Sequence, residues 1–336
     1  MAPTRYLLVG NPTAQSGLNG KRIERAHRAI EEHGAHCELF DTLPGGATIS
    51  ALAARLRDGA ACDVVVAMGG DGTFREVGAG LLASGCAGRI AMGMLPTGTA
   101  NDQGRSFGLD AGESALESNV DVLCRNRTTP LDGVVLAGLA HDGSTLFEET
   151  FFDSAGWGFS ARVLLERNID RSVVEKLGPL KLLYRDHLVY AGAFSRVFFD
   201  SFVRDQTFDA HVVIDGTEHE FTGLSDLVIK NTRIFAGAWI LDRTSAPDDG
   251  LVELVPFRNQ ADWIAKGIID HQGNMLPDAM RDPLGAARND VWRGARFDIT
   301  LRAPVLPLAQ IDGEEANPSP RCRVTVLPRA ITLVVP

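Results

Sequence analysis

The sequence predicts an N-terminal parallel α/β domain followed by a mostly antiparallel β domain. Three observations carry this. Over the first hundred residues short apolar strands alternate with amphipathic helices across short connections, the pattern of a parallel sheet. Three of those strands end in polar, glycine-bearing turns. After about Cys124 the alternation gives way to a succession of short strands, with Asp215-Gly216 marking a hairpin.

In chain order, residues 6–9 form a first strand, and the polar turn from Gly10 to Gly17 follows. Residues 21–33 read as a helix stopped by Gly34. A second strand spans 38–40, and a helix spans 49–56 with Leu52 and Leu56 on one side. The β-branched run 63–67 is a buried parallel strand, followed by the turn Met68-Gly69-Gly70-Asp71-Gly72 and a helix over 73–82. Another buried strand covers 89–95. Later strands are expected at 131–139, 146–153, 207–214, 218–224, 251–256, 297–301, 322–327 and 331–335. A helical stretch from 171 to 199 interrupts them. Its Phe194 and Phe198, continued by Phe202, make either a core stripe or a wall for an acyl chain.

The length of 336 residues suits two domains, with the boundary expected at 127/128. A net charge of −10 argues against nucleic acid as a partner, because phosphate backbones demand basic surface. Five widely spaced cysteines without a CxxC pair read as reduced thiols of a cytosolic protein. Eight histidines show no metal-ligand spacing. The opening residues do not read as a signal peptide, and no window approaches the roughly 20 apolar residues of a membrane span.

The chemistry concentrates in the Gly69–Thr73 turn. Three glycines in four positions allow a sharp turn and close approach of a ligand. The following helix start favours an anion such as a phosphate. Asp71, a carboxylate inside that cradle, suggests a metal, a catalytic base or a helix cap. The first turn fails as a P-loop, since Gly20-Lys21-Arg22 lacks the required spacing and hydroxyl, and no GxGxxG occurs. A third turn, Pro96-Thr97-Gly98-Thr99-Ala100-Asn101-Asp102, again follows a strand and brings hydroxyls, an amide and a carboxylate.

Together these motifs resemble the diacylglycerol kinase catalytic-domain superfamily, which includes YegS-like lipid kinases, sphingosine kinases and ceramide kinases. Gly69-Gly70-Asp71-Gly72-Thr73 with Glu76-Val77 is similar to its GGDGTxxEV signature. Asn11-Pro12 with Ser16-Gly17 resembles its opening NPxxG turn. The run from Leu95 to Asp102, with Arg105 and Phe107-Gly108-Leu109, resembles its LPxGTxNDxARxLGL segment. Ser154 to Ala161 resembles SxGxGFDA, Pro247-Asp248-Asp249-Gly250-Leu251 a shortened PxxxxDDGL, and Ile311-Asp312-Gly313-Glu314 the late DGE.

The resemblance implies a Rossmann-like parallel α/β domain, a C-terminal β-sandwich, and an active site in the cleft between them. It implies ATP and Mg²⁺ as cofactors, and transfer of the γ-phosphate to the hydroxyl of a neutral lipid such as diacylglycerol or ceramide. Asn11, Pro12, Ser16, Gly17, Gly69, Gly70, Gly72, Thr73, Thr97, Gly98, Thr99, Asn101, Gly313 and Glu314 would line the nucleotide site, and Glu76 would support the glycine turn. Asp102, Ser154, Trp157, Phe159 and Arg162 would lie on the substrate side. Asp248, Asp249 and the Leu251 carbonyl would hold a structural Mg²⁺. Asp71 and Asp312 are the two candidate bases, with Asp71 preferred. The implied partner is a membrane lipid at the bilayer surface, approached by a cytoplasmic protein, possible as a homodimer, on the inner face of the membrane.

Two departures stand out. Asp153 occupies a position where the family often has Asn. Arg162 stands where sphingosine kinases carry an aspartate that holds the sphingoid amine, and an arginine repels a long-chain ammonium. A neutral or anionic lipid alcohol is therefore expected, and not sphingosine. The alternatives are an NAD kinase-like enzyme, which the GWGFSA and DGE segments do not fit, and a lipid-binding pseudokinase, against which Asp71, Thr73 and Glu314 argue.

Overall fold

The computed structural model describes residues 3–57, 62–98, 100–165, 207–236, 239–259, 262–263 and 291–336. Thr99 and the expected 171–199 helix with its Phe194, Phe198 and Phe202 stripe lie outside these residues, as does the side chain of Ser16. The described chain forms two compact units. Unit 1 comprises residues 1–133, 247–250 and 327–336, and unit 2 comprises 134–246 and 251–326. A single cut at 127/128 thus misses two later segments that return to unit 1.

Unit 1 is built on parallel strands. β1 (Arg5–Gly10) leads through a 3₁₀ turn to α1 (Leu18–Glu32), which begins three residues earlier than the periodicity predicts. The early start is set by Gly17, whose φ of 86° is the left-handed conformation that turns the chain into the helix. Gly34, at φ 77°, terminates it as expected. β2 (His36–Asp41), α2 (Ala47–Arg57), β3 (Val64–Gly69), α3 (Asp71–Ala83) and β4 (Ala91–Pro96) follow.

The sheet order is β2-β1-β3-β4, all parallel, with Leu8 beside Val66 and Val66 beside Gly93. Being covered on both faces, β3 reads as an unbroken apolar run, and Val64 to Met68 are buried. Ile23, Ala26 and Ile30 of α1 pack on Leu8, Val66 and Leu95. Two short helices that the periodicity did not mark complete the unit: α4 (Asp102–Ser106) and α5 (Leu116–Arg125).

Unit 2 is a sandwich of two antiparallel sheets. One contains β5 (Thr128–Leu139), whose residues from Val134 belong here, with β6 (Thr145–Phe151). The other is ordered around β7 (Ser154–Gly158). The strands β8 (Phe208–Ile214) and β9 (Thr217–Leu224) form the hairpin expected at Asp215-Gly216. β10 (Asp226–Lys230) pairs with β7 on one side and with β13 (Val252–Phe257) on the other. The short pair β11 (Ile234–Phe235) and β12 (Trp239–Ile240) follows β10. β14 (Trp292–Gly294) extends β13, and β15 (Arg296–Arg302) pairs with β8. β16 (Ala309–Ile311) and β17 (Glu314–Ala316) form the last hairpin, and β16 pairs with β7.

Inward residues of both sheets meet in one core, where Trp157 and Leu227 pack with Phe208, Val212, Phe297 and Val324. The two strands expected at 322–327 and 331–335 are one, β18 (Arg321–Val334). It bends at Arg329, whose φ is 50°, and its first residues pair with β15 in unit 2. Its later residues belong to unit 1, where Leu333 pairs with Met92.

Candidate active site

The order β1-β3-β4 brings the three polar turns to neighbouring carboxyl ends of one sheet, where parallel α/β sheets bind ligands. Gly10 lies beside Met68, and Gly69 beside Pro96. The first turn is closed by Asn11, whose Oδ1 accepts hydrogen bonds from the Thr13 amide at 3.0 Å and the Thr13 hydroxyl at 2.8 Å. The buried Asn19 side chain donates to the Asn11 carbonyl at 2.8 Å. Pro12 is half-buried in this turn, and Gly17 is exposed at its end.

The second and third turns are joined to each other. The amides of Thr97 and Gly98 donate to the Gly69 carbonyl at 2.8 and 3.2 Å. Asn101, at φ 53°, accepts from the Gly98 amide at 2.8 Å and donates back to the Gly98 carbonyl at 2.7 Å. A Cβ on Gly98 would lie 2.4 Å from the Gly70 Cα, and one on Gly69 would lie 2.3 Å from the Thr73 hydroxyl. These glycines are therefore required where the turns pack on one another, besides any approach by a ligand.

Gly70 caps α3 without a side-chain bond, so Asp71 stands in the first turn of the helix and is not its cap. The Asp71 carboxylate accepts the Gln103 backbone amide at 3.1 Å, linking α3 to α4. Asp71, Gly72, Thr73 and Glu76 are half-buried, whereas Thr97, Asn101 and Asp102 are buried. Gln103 is 2% exposed, and neither atom of its side-chain amide has a partner among the described residues. Sequence reasoning missed it because one Gln in a short helix carries no pattern.

The shortened acidic loop closes on Asp132. Asp132, fully buried at the end of unit 1's part of β5, accepts the amides of Gly250 and Arg329, both at 2.6 Å. Burial, followed in effect by Asp249 and Asp248, outweighs those two bonds and raises its pKa. No group of three or more His, Cys, Asp or Glu among the described residues could hold a metal ion. Asp248 is half-buried, Asp249 exposed and Leu251 half-buried. The loop is organised by the Asp132 carboxylate and two backbone N–H groups.

In unit 2, Ser154, Trp157 and Phe159 are buried. Trp157 is part of the inter-sheet core, and Phe159 packs 5.5 Å from Trp263. Arg162 is half-buried on the helical residues 159–165. Asp312 is 3% exposed; its carboxylate accepts the amides of Phe152, Asp153 and Ser154 at 3.0, 2.8 and 2.9 Å. Gly313, at φ 75°, completes the turn, and Glu314 beyond it is exposed.

The Asp153 departure has a partner that the sequence did not reveal. Lys230, 1% exposed, places its Nζ 2.6 Å from Asp153 Oδ1 and 2.7 Å from the Ile234 carbonyl. The Thr232 hydroxyl donates to the same carboxylate, and the Ser154 hydroxyl lies 3.0 Å from its other oxygen. The available signal was a lysine ending the apolar run Leu227-Val228-Ile229.

Comparison with known proteins agrees with the motifs. Residues 5–136 match the family described as diacylglycerol kinase catalytic domain. A diacylglycerol kinase of Staphylococcus haemolyticus is 32% identical over 126 residues, 37% of this chain and 36% of that protein. A Bacillus subtilis diacylglycerol kinase is 31% identical over 129 residues, 38% and 40% of the two chains. A probable YegS-like lipid kinase of Chromohalobacter salexigens is 32% identical over 175 residues, 49% and 51%. The matched part thus spans between a third and a half of these relatives.

The crystal structure of a Bacillus anthracis diacylglycerol kinase superposes with a TM-score of 0.69 at 18% identity, covering 100% of this chain and 98% of that one, which fixes the fold. The motifs and the matched domain agree: residues 5–136 match the diacylglycerol kinase catalytic domain, and the whole chain shares the fold of the Bacillus anthracis structure.

Proposed function

We propose that the chain is an ATP-dependent lipid kinase that transfers the γ-phosphoryl group to the hydroxyl of a neutral or anionic lipid alcohol, diacylglycerol and ceramide being the leading acceptors. The reading is carried by the joined glycine turns at the ends of β3 and β4, with Asp71 at the start of α3. Phosphoryl transfer asks a protein mainly for positioning and charge stabilisation. Backbone amides at the α3 N-terminus, in the Gly69–Thr73 turn, supply a cradle for phosphate oxygens, and the Pro96–Asn101 turn braces it through the Gly69 carbonyl. Mg²⁺ would arrive with the nucleotide as part of the substrate and neutralise phosphate charge.

Asp71 is the candidate proton acceptor, and the Gln103 amide holds one of its oxygens in place. The unpaired Gln103 side chain supports a ligand-binding role for this corner, since a buried amide without partners destabilises a fold that leaves it so. Arg162 disfavours a cationic acceptor. On this reading the protein would work at the bilayer surface, where its acceptor resides. No helix among the described residues is long and apolar enough to cross a membrane.

The test is a panel of diacylglycerol, ceramide, phosphatidylglycerol and sphingosine in mixed micelles, with labelled ATP and Mg²⁺. Wild type should phosphorylate an uncharged or anionic alcohol, and Asp71→Asn should lose about a hundredfold or more of that rate. Preferred turnover of sphingosine would refute the acceptor class. Formation of NADP from NAD would point to the NAD kinase reading, and lipid binding with no turnover in wild type to a pseudokinase.

A further inference from the structure

Between β15 and β16 runs Ala303-Pro304-Val305-Leu306-Pro307-Leu308, six residues with no charged or hydrogen-bonding side chain. Ala303 and Leu306 pack against the core of the sandwich and hold the loop to it. Val305 and Leu308 are left outside that core, 83% and 38% exposed.

A third apolar side chain belongs to the same end of unit 2. The Leu301 amide, near the end of β15, donates to the Pro320 carbonyl at 2.8 Å. Beside it the Ser319 hydroxyl donates to the Leu139 carbonyl at 3.1 Å, and Arg321 Nη1 donates to the His141 carbonyl at 3.2 Å. These bonds tie the β5–β6 turn to the end of β15. Leu146, the second residue of β6, is 59% exposed there. One exposed leucine needs no explanation, but an uncharged loop and a neighbouring hairpin that present three apolar side chains together do.

The backbone at this end is poor in groups that need water. Pro304, Pro307, Pro318 and Pro320 have no N–H to desolvate. The Leu308 carbonyl accepts the Gly158 amide at 2.9 Å, and the Pro320 carbonyl is taken by Leu301. Nearby charges already have partners within the protein: Arg302 lies 3.3 Å from Glu220, and Asp142 accepts the Ser144 amide and hydroxyl. Polar backbone left unpaired in hydrocarbon is costly, and this loop has little of it to pair.

These features suit a bilayer better than a protein. Protein interfaces are anchored by Tyr, Trp and Arg and carry hydrogen bonds throughout, and residues 303–308 offer none of those side chains. From the loop, the three residues of β16 lead to the Asp312-Gly313-Glu314 turn. That is roughly 10 Å of strand, less than the roughly 15 Å of hydrocarbon in one leaflet.

We propose that this end of unit 2 docks on a lipid bilayer, with Val305, Leu308 and Leu146 entering the apolar edge of the headgroup layer. The choice of a bilayer as partner rests on the lipid-kinase reading. Docking is driven by apolar insertion and not by charge, in keeping with a chain of net charge −10.

The test is co-sedimentation of the full chain with vesicles of phosphatidylcholine and phosphatidylglycerol, comparing wild type, Val305→Asp, Leu146→Asp and the double variant. Leu39→Asp, at an exposed leucine of β2 in unit 1, is the control. Wild type and the control should bind alike. Each single variant should lose about tenfold or more in partitioning, and the double variant should not sediment. Thermal midpoints should stay at the wild-type value, since both altered side chains are mostly exposed. Raising the salt to about 1 M should leave wild type bound, because apolar insertion is not screened.

The proposal is overturned if wild type does not bind vesicles, if the variants bind as well as wild type, or if salt releases the protein. Self-association that Val305→Asp abolishes, without vesicle binding, would assign the surface to a second copy of the chain and overturn it too. Turnover is measured separately on a water-dispersed short-chain diacylglycerol, where Val305→Asp should match wild type, and on the same lipid class held in vesicles, where it should fall with the partitioning. If wild type binds vesicles yet phosphorylates neither form nor any other lipid, the kinase reading fails and the docking surface stands.

Discussion

Lys230 and Asp153 show how much one residue pair can oblige. Both are almost wholly buried, and each side chain is bonded, so the pair is geometrically complete. A complete buried ion pair contributes little net stability, yet removing one partner strands a charge and costs about 3–5 kcal/mol. Lys230→Met alone should therefore lower the stability of unit 2 by about that amount in denaturant unfolding. Lys230→Met with Asp153→Asn should regain most of it, because the second change removes the stranded charge. A double variant no more stable than Lys230→Met would show that the pair is not coupled. Asp153 and Lys230 then act as one unit, since neither charge is compensated without the other.

At the scale of elements, the junction of β7, β10 and the helical residues 159–165 turns on Asp226. It is fully buried at the start of β10, and its carboxyl faces the Ser160 amide and hydroxyl, each at 3.1 Å. Burial raises its pKa well above the usual carboxylate range, against the opposing effect of the Ser160 bonds. The folded chain therefore holds a proton that the unfolded chain releases near its ordinary carboxylate range. The stabilisation is complete below that range and is lost as pH rises toward the folded value. Asp226→Asn, a mimic of the protonated form, should flatten this decline and raise the thermal midpoint at pH 8 relative to wild type. An unchanged pH profile would mean that Asp226 is ionised when folded.

The element pattern was legible where a strand is buried on both faces or a glycine ends a helix, as at Val64–Gly69 and Gly34. It was not legible at α4 and α5, or at Pro328-Arg329, where residues that read as a break continue β18 through a bend. The glycine turns could be placed on one sheet edge from sequence, because strand–turn–helix order dictates it. That Gly70 and Gly98 touch, that Gln103 secures Asp71, and that Asp132 closes the acidic loop are long-range contacts with no local signal.

For the whole molecule, the last strand is the consequential feature. Ile331, Leu333 and Val334 are buried, and the Val335 amide donates to the Arg127 carbonyl at 2.8 Å. At about 1.5–3 kcal/mol for each large apolar side chain, their burial rivals the net stability of a typical domain. Deleting residues 327–336 should leave β4 without exchange protection although every residue of β1 to β4 is present. Full protection of β4 in the truncated chain would refute this.

The same feature sets a timetable for biosynthesis. Unit 1 is interrupted after Gly133 and regains its closing strand only from Leu327. At translation rates of about 5–20 residues per second, the interval is on the order of 10–40 s. Throughout it the nascent unit presents β4 as an open sheet edge able to pair with another chain. Unit 2 can therefore fold on the ribosome as an inserted domain before its host is sealed, and the host is the part of the protein most exposed to chaperone capture and misassembly.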